Sequence, residues 1–570
     1  MAAYDLVVRN GSVVDGSGMP ARPADVAVSG RKIVAVGAVE GRGSREIDAS
    51  DHIVTPGFID GHTHMDAQFF WDPLGTSSCW HGVTTVVVGN CGFTLAPCRS
   101  GQEQLVIDNL EKAEDIPAAA LAAGVHFEWE TFAQYLDALD RLPKGINFGS
   151  YLGHSALRTY AMGERAFESE ATEEDLKAME SELRAGLAAG ALGFTTSRSH
   201  HHMTPSGRPV ASRVAPWGEV ERLVAAMAGA GGGMFELANE SVMASTDPEG
   251  RAEAMGRLRR LAVGNRVPVS FGISTFGDPN RWLELLRLLD DAARDGAQMW
   301  GQSSCMPSGA LFNFKTWLPF DKVPAWSELR ARPLDEQAVK LRNPDVRASL
   351  IESLSGMDFS LGKEVARKPL FERIVVMQRD RATSPTLASV AAERGVHPAE
   401  AMIDLGLESD FDTFFLQITS NDEPDDVLTM LRHPRTVMTF SDAGAHVSQI
   451  ISASLQTYLL SHWVREVGEF SIEEAVRMIT LVPSSIWGMA DRGLVREGFE
   501  ADLNIIDLEC LEPCVPEVVH DLPAGATRLT QRAEGITATI VGGEVLLEDG
   551  EHTGALPGRL IRRAALNRPM

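Results

Sequence analysis

Cysteine and long apolar runs are scarce in this sequence. There are 6 cysteines in 570 residues, too few for a disulfide framework, so we expect reduced thiols and a cytoplasmic protein. No apolar run reaches the roughly 18 residues that a membrane-spanning helix needs. The opening segment, MAAYDLVVRNGSVVDG, has no basic stretch followed by an apolar core, which argues against a signal peptide.

Basic residues are also few relative to acidic ones. The chain carries 52 Lys and Arg against 78 Asp and Glu, a formal net charge of −26 at pH 7. Such an acidic chain disfavours nucleic acid and anionic membranes as partners. We therefore expect a small-molecule partner and leave homo-oligomerisation open. A hydrophobic fraction of 44% suffices for a large interior, and the length indicates more than one structural unit.

Both ends of the chain have the composition of β-strands and turns. Apolar and polar residues alternate over 4–14, interrupted by Asn10-Gly11, and the pattern returns over 501–506 and 537–545. The simplest arrangement is a small β-sandwich domain made from both termini. We predict its bounds as 1–56 plus 489–570.

The middle of the chain alternates short apolar segments with helical stretches such as Glu173–Ala189, which is typical of a parallel α/β sheet. The predicted strands are 53–60, 83–88, 146–153, 190–197, 233–239, 267–273, 297–303 and 436–442. Eight strands with intervening helices predict a (β/α)₈ TIM-like barrel over 57–488. The stretch of about 306–435 is too long for one crossover, and we interpret it as an insertion before the last strand.

Two histidines separated by one residue, His62 and His64, end the first predicted barrel strand. In an extended strand, side chains at i and i+2 point the same way, so both imidazoles can reach one metal ion. They also stand at the carboxyl end of the strand, where barrel active sites lie. A second pair, His200 and His202, shows that such spacing also arises by chance. The position after Pro56-Gly57-Phe58 favours metal ligands.

Several segments together resemble the amidohydrolase superfamily, and within it the N-acyl-D-amino-acid deacylases. The segments that carry the resemblance are His62-Thr63-His64-Met65-Asp66, Gly82–Gly92, Tyr151–Arg158, Ser441–Gly444, Asp491–Val495, Gly498–Leu503 and Asp549–Gly554. They extend over nearly the whole chain. The resemblance implies a barrel with a split β-sandwich and a centre that holds one or two divalent metal ions.

The resemblance also implies roles for matched positions. His62 and His64 would hold the more exposed metal ion together with Asp442. Cys91 would be a thiolate ligand, able to bridge two metal ions where relatives use a carbamylated lysine. No lysine occurs between Lys144 and Lys177, where the third and fourth strands are predicted, so a carbamate is unavailable there. A thiolate combined with imidazoles favours zinc.

Two of these residues have structural alternatives. Cys91 alone would be interpreted as a small buried hydrophobe, the usual state of a free cysteine. Asp442 alone would be interpreted as a helix N-cap or turn aspartate. As a ligand and general base, Asp442 would accept the proton of an acidified water molecule and return it to the leaving amine.

The sequence departs from the deacylase pattern at the fifth and sixth strands. That pattern ends both strands in histidines, and neither 234–240 nor 269–274 contains one. The lysine that often follows the sixth-strand histidines is also absent. Glu236 stands near the first missing histidine, either as an oxygen ligand or as an ion-pair partner in the barrel interior. The departure weakens the expectation of N-acyl-D-amino acids as substrates.

Four further residues follow predicted strands and are candidates for substrate binding. They are Arg198, His202, His154 and His446. Arg198 could hold a substrate carboxylate bidentately or form a structural salt bridge. For His154 and His446, capping or supporting roles are equally compatible with the sequence.

The favoured hypothesis is a metal-dependent hydrolase of non-peptide C–N bonds, of the N-acyl-D-amino-acid deacylase type, which uses a metal-bound hydroxide. One alternative is the hydrolysis of a cyclic amide, carbamate or lactone at the same site. Another, of a different class, is a catalytically inactive barrel that acts as a binding or assembly protein.

Overall fold

The structure is a computed structural model, and it describes residues 2–238, 243, 245, 247–276, 280–355, 369–378 and 384–563. The strands are β1 (Tyr4–Val13), β2 (Arg22–Ser29), β3 (Lys32–Gly37), β4 (Gly43–Asp48), β5 (Ile53–Pro56), β6 (Phe58–Asp60), β7 (Val83–Val88), β8 (Asn147–Ser150), β9 (Leu152–Gly153), β10 (Gly193–Ser197), β11 (Met234–Ala238), β12 (Val269–Gly272), β13 (Met299–Ser303), β14 (Ser308–Phe312), β15 (Ile374–Val376), β16 (Phe415–Ser420), β17 (Thr436–Met438), β18 (Leu503–Ile506), β19 (Glu512–Pro513), β20 (Glu517–Val519), β21 (Arg528–Thr530), β22 (Ala533–Glu534), β23 (Ile536–Val541), β24 (Glu544–Glu548) and β25 (Glu551–His552).

Helices separate many of these strands. The α-helices are α1 (Glu103–Leu110), α2 (Ala118–Gly124), α3 (Phe132–Arg141), α4 (His154–Met162), α5 (Glu173–Ala189), α6 (Ala211–Val214), α7 (Trp217–Gly229), α8 (Pro248–Asn265), α9 (Arg281–Arg294), α10 (Pro324–Arg330), α11 (Leu334–Leu341), α12 (Pro344–Leu354), α13 (Leu387–Arg394), α14 (Pro398–Glu408), α15 (Pro424–Arg432), α16 (Leu455–Tyr458), α17 (Ile472–Ile479) and α18 (Leu481–Ile486), and a π-helix spans Leu459–Glu466. Within the ranges described, no helix is long and apolar enough to cross a lipid bilayer.

Strands from the two ends of the chain share one mixed sheet, which we call the terminal sheet. Its order is β25-β24-β23-β18-β5-β1-β2-β3, with β4 also paired to β1. The join between the ends is the antiparallel pair β18–β5, where Leu503 lies opposite Pro56 and Ile506 opposite Ile53. Buried Val54 and Ile540 lie in the apolar core of this sheet. The predicted contact between the β-rich termini is present.

The middle of the chain supplies parallel strands in two sheets. One has the order β6-β7-β8, and the other the order β17-β13-β12-β11-β10-β9. Every side chain of β7 is buried, as an interior parallel strand requires. The predicted α/β class is confirmed, and each of the eight predicted segments contains a strand. Residue 239, the last of the predicted fifth strand, lies outside the described residues.

Three predicted strands differ most from the observed ones, because two are divided and one ends early. The first predicted strand divides at Gly57, so that β5 joins the terminal sheet and β6 starts the parallel strands. The third divides at Tyr151, between β8 and β9. The last was predicted to run to Asp442 but ends at Met438. Positive φ angles of 88° at Phe440 and 53° at Asp442 cannot continue a strand.

The carboxyl ends of the first and last of these strands lie side by side. Asp442 N–H donates to the carbonyl oxygen of His62 at 3.2 Å, and His64 N–H donates to that of Ala443 at 2.7 Å. Thr63 and Ala443 form a parallel bridge. The residues that follow β6 and β17 are therefore held together.

The segment between β13 and β17 forms a small unit with its own core. Its strands have the antiparallel order β14-β16-β15. Trp326 is fully buried there, packs on Phe320 with ring centroids 4.1 Å apart, and donates from Nε1 to the carbonyl oxygen of Leu350 at 3.1 Å. Residues 356–368 and 379–383 of the predicted insertion lie outside the described residues.

Candidate metal centre

Two buried histidines form the floor of the site. His62 and His64 follow β6 directly, and their ring centroids are 5.3 Å apart. The side chain of His62 is 1% exposed and that of His64 3%. The backbone bonds to the segment after β17 hold both residues at the carboxyl end of the parallel strands.

Cys91 brings a sulfur atom to the same place. It lies in the turn Asn90–Gly92 just after β7, with a left-handed φ of 56°. Its Sγ is 3.4 Å from Nε2 of His62. One donor atom from each of His62, His64 and Cys91 lies within 4.8 Å of the other two. The structure thus brings together three of the predicted ligands.

Asp442 completes the group. Its Oδ1 lies 3.3 Å from Nε2 of His62 and 3.5 Å from Nε2 of His64. Burial acts to raise the pKa of Asp442, but contact with His64 and the charges of the neighbouring histidines lower the pKa to about 2. The carboxylate is therefore ionised at neutral pH, ready to bind a cation or accept a proton.

The proton positions on His62 follow from its neighbours. Its Nδ1 lies 2.7 Å from Oε1 of Gln302, an oxygen that can only accept a hydrogen bond. Nδ1 therefore carries the proton, and Nε2 presents a lone pair to Cys91 and Asp442. Gln302 is fixed in turn, because its Nε2 donates to Oγ of Ser270 at 3.0 Å. Burial lowers the pKa of His62 to about 4, which keeps the ring neutral at pH 7.

Two carboxylates that were not among the predicted site residues lie beside His64. Oε2 of Glu114 is 3.6 Å from Nδ1 of His64, and Oδ2 of Asp66 accepts a hydrogen bond from Gly89 N–H at 3.0 Å. Burial raises the pKa of both carboxyls, that of Asp66 to about 7. Burial acts to lower the pKa of His64, but the charges of Glu114 and Asp442 raise it to about 9. An ion that binds at Nε2 of His64 must therefore displace a proton.

Glu236 lies next to Cys91, near the position where a histidine was expected. Its Oε2 accepts a hydrogen bond from Cys91 N–H at 2.8 Å. Its Oε1 is buried and has no hydrogen-bond partner among the described residues. Burial raises the pKa of Glu236 to about 8, against a smaller lowering by the Cys91 hydrogen bond. The carboxylate supports the turn that carries the thiol, and ligation by its free oxygen stays a prediction.

Two of the predicted substrate-binding histidines lie on the side of the predicted metal ligands. His202 Nδ1 is 2.6 Å from Oγ of Ser197, and burial, then the charges of His446 and His64, lower the pKa of His202 to about 3. His446 follows Asp442 in a left-handed conformation, with φ 48°, and its N–H donates to the carbonyl oxygen of Glu114. Their contact with substrate stays a prediction.

The other two predicted substrate-binding residues are held by protein groups. His154 is fully buried, with Nε2 2.9 Å from Oε1 of Glu219 and Nδ1 2.8 Å from Oγ1 of Thr196. Arg198 donates from Nη1 to the carbonyl oxygen of Ala215 at 2.7 Å. These contacts match the supporting role that was left open for His154, and substrate binding by either residue stays a prediction.

The donor atoms fit a soft or borderline divalent metal ion. Imidazole, thiolate and carboxylate are the ligands of zinc sites, and the lone pair of His62 is already turned towards the others. Buried polar atoms without hydrogen-bond partners also surround the group, within the described residues. They are Asp60 Oδ2, His64 Nδ1, Asp66 Oδ1, Asn90 Oδ1, Glu114 Oε1 and Glu236 Oε1. Such atoms are costly to bury unless an ion or water molecule satisfies them.

Comparison with known proteins places the chain in a family. A model of the amidohydrolase family matches residues 45–547. The chain belongs to the amidohydrolase family. A D-aminoacylase from Alcaligenes xylosoxydans xylosoxydans is 28% identical, covering 99% of this chain and 98% of the relative. An N-acyl-D-aspartate deacylase from the same organism is also 28% identical, covering 98% and 95%.

A solved structure of D-aminoacylase has the same overall fold. It superposes with a TM-score of 0.65 at 25% identity, covering 98% of this chain and 100% of that one, and it was studied for its binuclear metal centre. The family and the full-length relatives together identify this amidohydrolase as a metal-dependent hydrolase of non-peptide C–N bonds. They give no support to the alternative of an inactive binding or assembly protein.

Proposed function

We propose that this amidohydrolase cleaves the amide bond of an N-acyl-D-amino acid at a metal centre held by His62, His64, Cys91 and Asp442. The observation that carries the proposal is the convergence of two imidazoles, a thiol and a carboxylate on one buried point. The substrate class follows the names of full-length relatives, D-aminoacylase and N-acyl-D-aspartate deacylase.

Zinc is the metal ion that the ligand set favours, because thiolate and imidazole together prefer it. When bound, the ion would polarise the amide carbonyl and acidify a water molecule. We propose that a single ion suffices. The described parts of β11 and β12 contain no histidine, and Glu236 is engaged with the backbone of Cys91.

The role that we propose for Asp442 is proton transfer. Its side chain is 24% exposed, whereas those of His62 and His64 are at most 3% exposed, so the carboxylate is the part of the site that faces incoming substrate. It is ionised at neutral pH and can accept the proton of the attacking water molecule. Passing that proton to the departing nitrogen releases a neutral amine.

The architecture that we propose is a closed (β/α)₈ barrel with a two-part β-sandwich domain. The bridge between Thr63 and Ala443 supports closure between the first and last strands. We place the domain boundaries at 1–56 plus 489–570 for the sandwich and 57–488 for the barrel. The division of the chain at Gly57, between β5 and β6, supports the first of these boundaries.

A pocket lined mainly by apolar residues supports an apolar substituent on the substrate. Its wall includes β14, β15, β16 and the segment after Asp442, and none of the described residues that line it is charged. Among them are Met306, Leu311, Leu416, Ile418, Ile451 and Tyr458. Ile451 and Ser452 also border the recess next to Asp442. We therefore propose N-acyl derivatives of apolar D-amino acids as better substrates than those of D-aspartate.

A substrate panel with zinc-loaded protein tests the proposal. It compares N-acetyl-D-methionine with its L-enantiomer, with N-acetyl-D-aspartate and with a cyclic imide, and it measures released amine. We expect the highest kcat/KM for N-acetyl-D-methionine. Turnover of the cyclic imide alone would support the alternative ring-opening activity. Failure to hydrolyse any amide while zinc is bound would contradict the proposal.

The cellular setting stays a proposal as well. The six cysteines, all within the described ranges, form no disulfide with one another, and unpaired thiols are typical of proteins in reducing compartments. We propose the cytoplasm as the location. Size measurement in solution would show whether the chain forms a homo-oligomer.

A further inference from the structure

A buried carboxylate from outside the predicted strands faces one metal ligand. Glu114 lies in the loop after α1, and its side chain is 3% exposed. Its Oε2 is 3.6 Å from Nδ1 of His64. Within the described residues, neither Nδ1 of His64 nor Oε1 of Glu114 has a hydrogen-bond partner. Nδ1 of His64 therefore has no other hydrogen-bond partner among the described residues that would compete with Glu114.

The orientation of the His64 ring determines which of its nitrogen atoms faces Glu114. Nε2 of His64 is turned towards Asp442 Oδ1, at 3.5 Å, on the side of the other ligands. A histidine that gives the lone pair of one nitrogen to a metal ion carries its proton on the other nitrogen. Nδ1 of His64 would then be an N–H donor aimed at the Glu114 carboxylate. The distance of 3.6 Å is within ion-pair range, and a small ring rotation would bring it to hydrogen-bond length.

The two histidine ligands are supported differently. Nδ1 of His62 meets the neutral amide of Gln302 at 2.7 Å. Nδ1 of His64 meets an acid instead. A carboxylate behind a metal-bound imidazole fixes the tautomer and makes the other ring nitrogen a stronger donor to the metal ion.

The loop that carries Glu114 is fastened to the loop that carries Asp442. The carbonyl oxygen of Glu114 accepts a hydrogen bond from His446 N–H. The carboxylate of the next residue, Asp115, accepts from Oγ of Ser448 at 2.6 Å and from Nε2 of Gln449 at 3.0 Å. Glu114 is thus held against the centre by bonds that do not involve its own carboxylate.

We propose that Glu114 is the positioning residue of the metal centre, which orients His64 and strengthens its bond to the metal ion. The inference rests on the proposed function, because it presupposes that His62, His64, Cys91 and Asp442 hold a metal ion. Glu114 does not touch substrate in this assignment, since it lies behind the imidazole.

The test measures zinc affinity by competition with a chelator in three proteins: the natural chain, Glu114→Gln and Asp115→Asn. Glutamine keeps the volume of the side chain but removes its charge. We expect Glu114→Gln to weaken zinc binding about 10- to 100-fold. Asp115→Asn weakens the attachment of the loop without changing the group that faces His64, and we expect near-natural affinity from it.

Melting temperatures of the metal-free proteins separate positioning from folding. Equal melting temperatures of the natural chain and Glu114→Gln, with unequal zinc affinity, would support the proposal. Natural zinc affinity in Glu114→Gln would overturn it, and so would an equal loss in Asp115→Asn. A natural chain that binds no metal would instead contradict the proposed function, so the two failures are distinguishable.

Discussion

Two of the residues that we place at the metal centre have backbone conformations that few non-glycine residues adopt. Cys91 has a φ of 56° and Asp442 a φ of 53°. Each residue follows the end of a strand within a few residues, and the left-handed backbone turns the chain there instead of extending the strand. Such conformations cost about 1–3 kcal/mol each and persist where the surroundings enforce them. This strain coincides with the group of donor atoms, which is where functional strain is expected.

A substitution at Asp442 can separate the loss of catalysis from the loss of metal binding or stability. In Asp442→Asn an amide oxygen remains for coordination, but the side chain cannot accept a proton near neutral pH. We expect near-natural zinc content and turnover reduced at least about 100-fold, the usual contribution of a general acid–base group. Zinc content, melting temperature and kcat measured on one preparation check this. A merely structural turn aspartate would instead give near-natural kcat with a stability loss of about 1 kcal/mol.

The histidine pair is expected to be needed for the metal ion but not for the fold. The double substitution His62→Ala/His64→Ala removes both imidazoles from a site that stands on a core of parallel strands. Catalytic metal sites of this kind, unlike zinc fingers, sit on a structure that exists without the ion. We expect loss of bound zinc and of amide hydrolysis, with an unchanged far-UV circular dichroism spectrum. Full activity in the metal-free double variant would show that these histidines do not hold a catalytic metal ion.

At the scale of elements, the sequence predicted where strands stand better than where they end. Parallel strands buried on both faces appear as short apolar runs, and each of the eight predicted runs contains a strand. His62 and His64 could be predicted because their spacing fits one face of a strand. The end of β17 at Met438 could not, because the left-handed turn at Asp442 depends on contacts with the segment after β6.

The residues that support the ligands were harder to predict. Gln302 is an ordinary amide near the end of β13, and only the closeness of that strand to β6 gives it a role. Glu114 lies in a loop with no periodic pattern, more than 20 residues from Cys91 along the chain. Its approach to His64 depends on the hydrogen bond from His446, which is more than 300 residues away along the chain. Contacts of this kind depend on how distant loops meet in the folded chain, which no local sequence pattern encodes.

The boundary between β5 and β6 is set by Gly57, and it can be tested there. A Cβ at Gly57 would lie 2.2 Å from Oγ1 of Thr84, at the start of β7. We expect Gly57→Ala to destabilise the protein by about 1–3 kcal/mol, as overpacking does. Thr84→Ala removes the closest atoms, so the double variant should lose less than the sum of the single losses. Additive losses in thermal unfolding would show that the two positions do not conflict.

For the whole molecule, a buried ion pair ties the terminal sheet to the parallel strands. Arg492 donates from Nη1 to Oδ2 of Asp502 at 2.9 Å, and their side chains are 8% and 4% exposed. Asn147 of β8 donates to the same oxygen at 3.1 Å, and Gly542 N–H donates to Oδ1 at 2.7 Å. Asp502 thus joins the C-terminal part of the chain to β8, in the sheet that also contains β6 and β7. Burial raises the pKa of Asp502, and the charge of Arg492 acts against that rise.

Breaking this pair should therefore affect the whole molecule. Arg492→Met leaves Asp502 buried without its cation, which typically costs about 3–5 kcal/mol. In Arg492→Met/Asp502→Asn the stranded charge is gone, and we expect a smaller loss. The exposed pair of Arg45 and Glu548, 43% and 51% exposed, lies within the terminal sheet and serves as the control. Arg45→Met should cost less than about 1 kcal/mol. Urea unfolding followed by tryptophan fluorescence gives the three values, and equal losses in Arg492→Met and Arg45→Met would mean that the buried pair does not couple the two parts of the molecule.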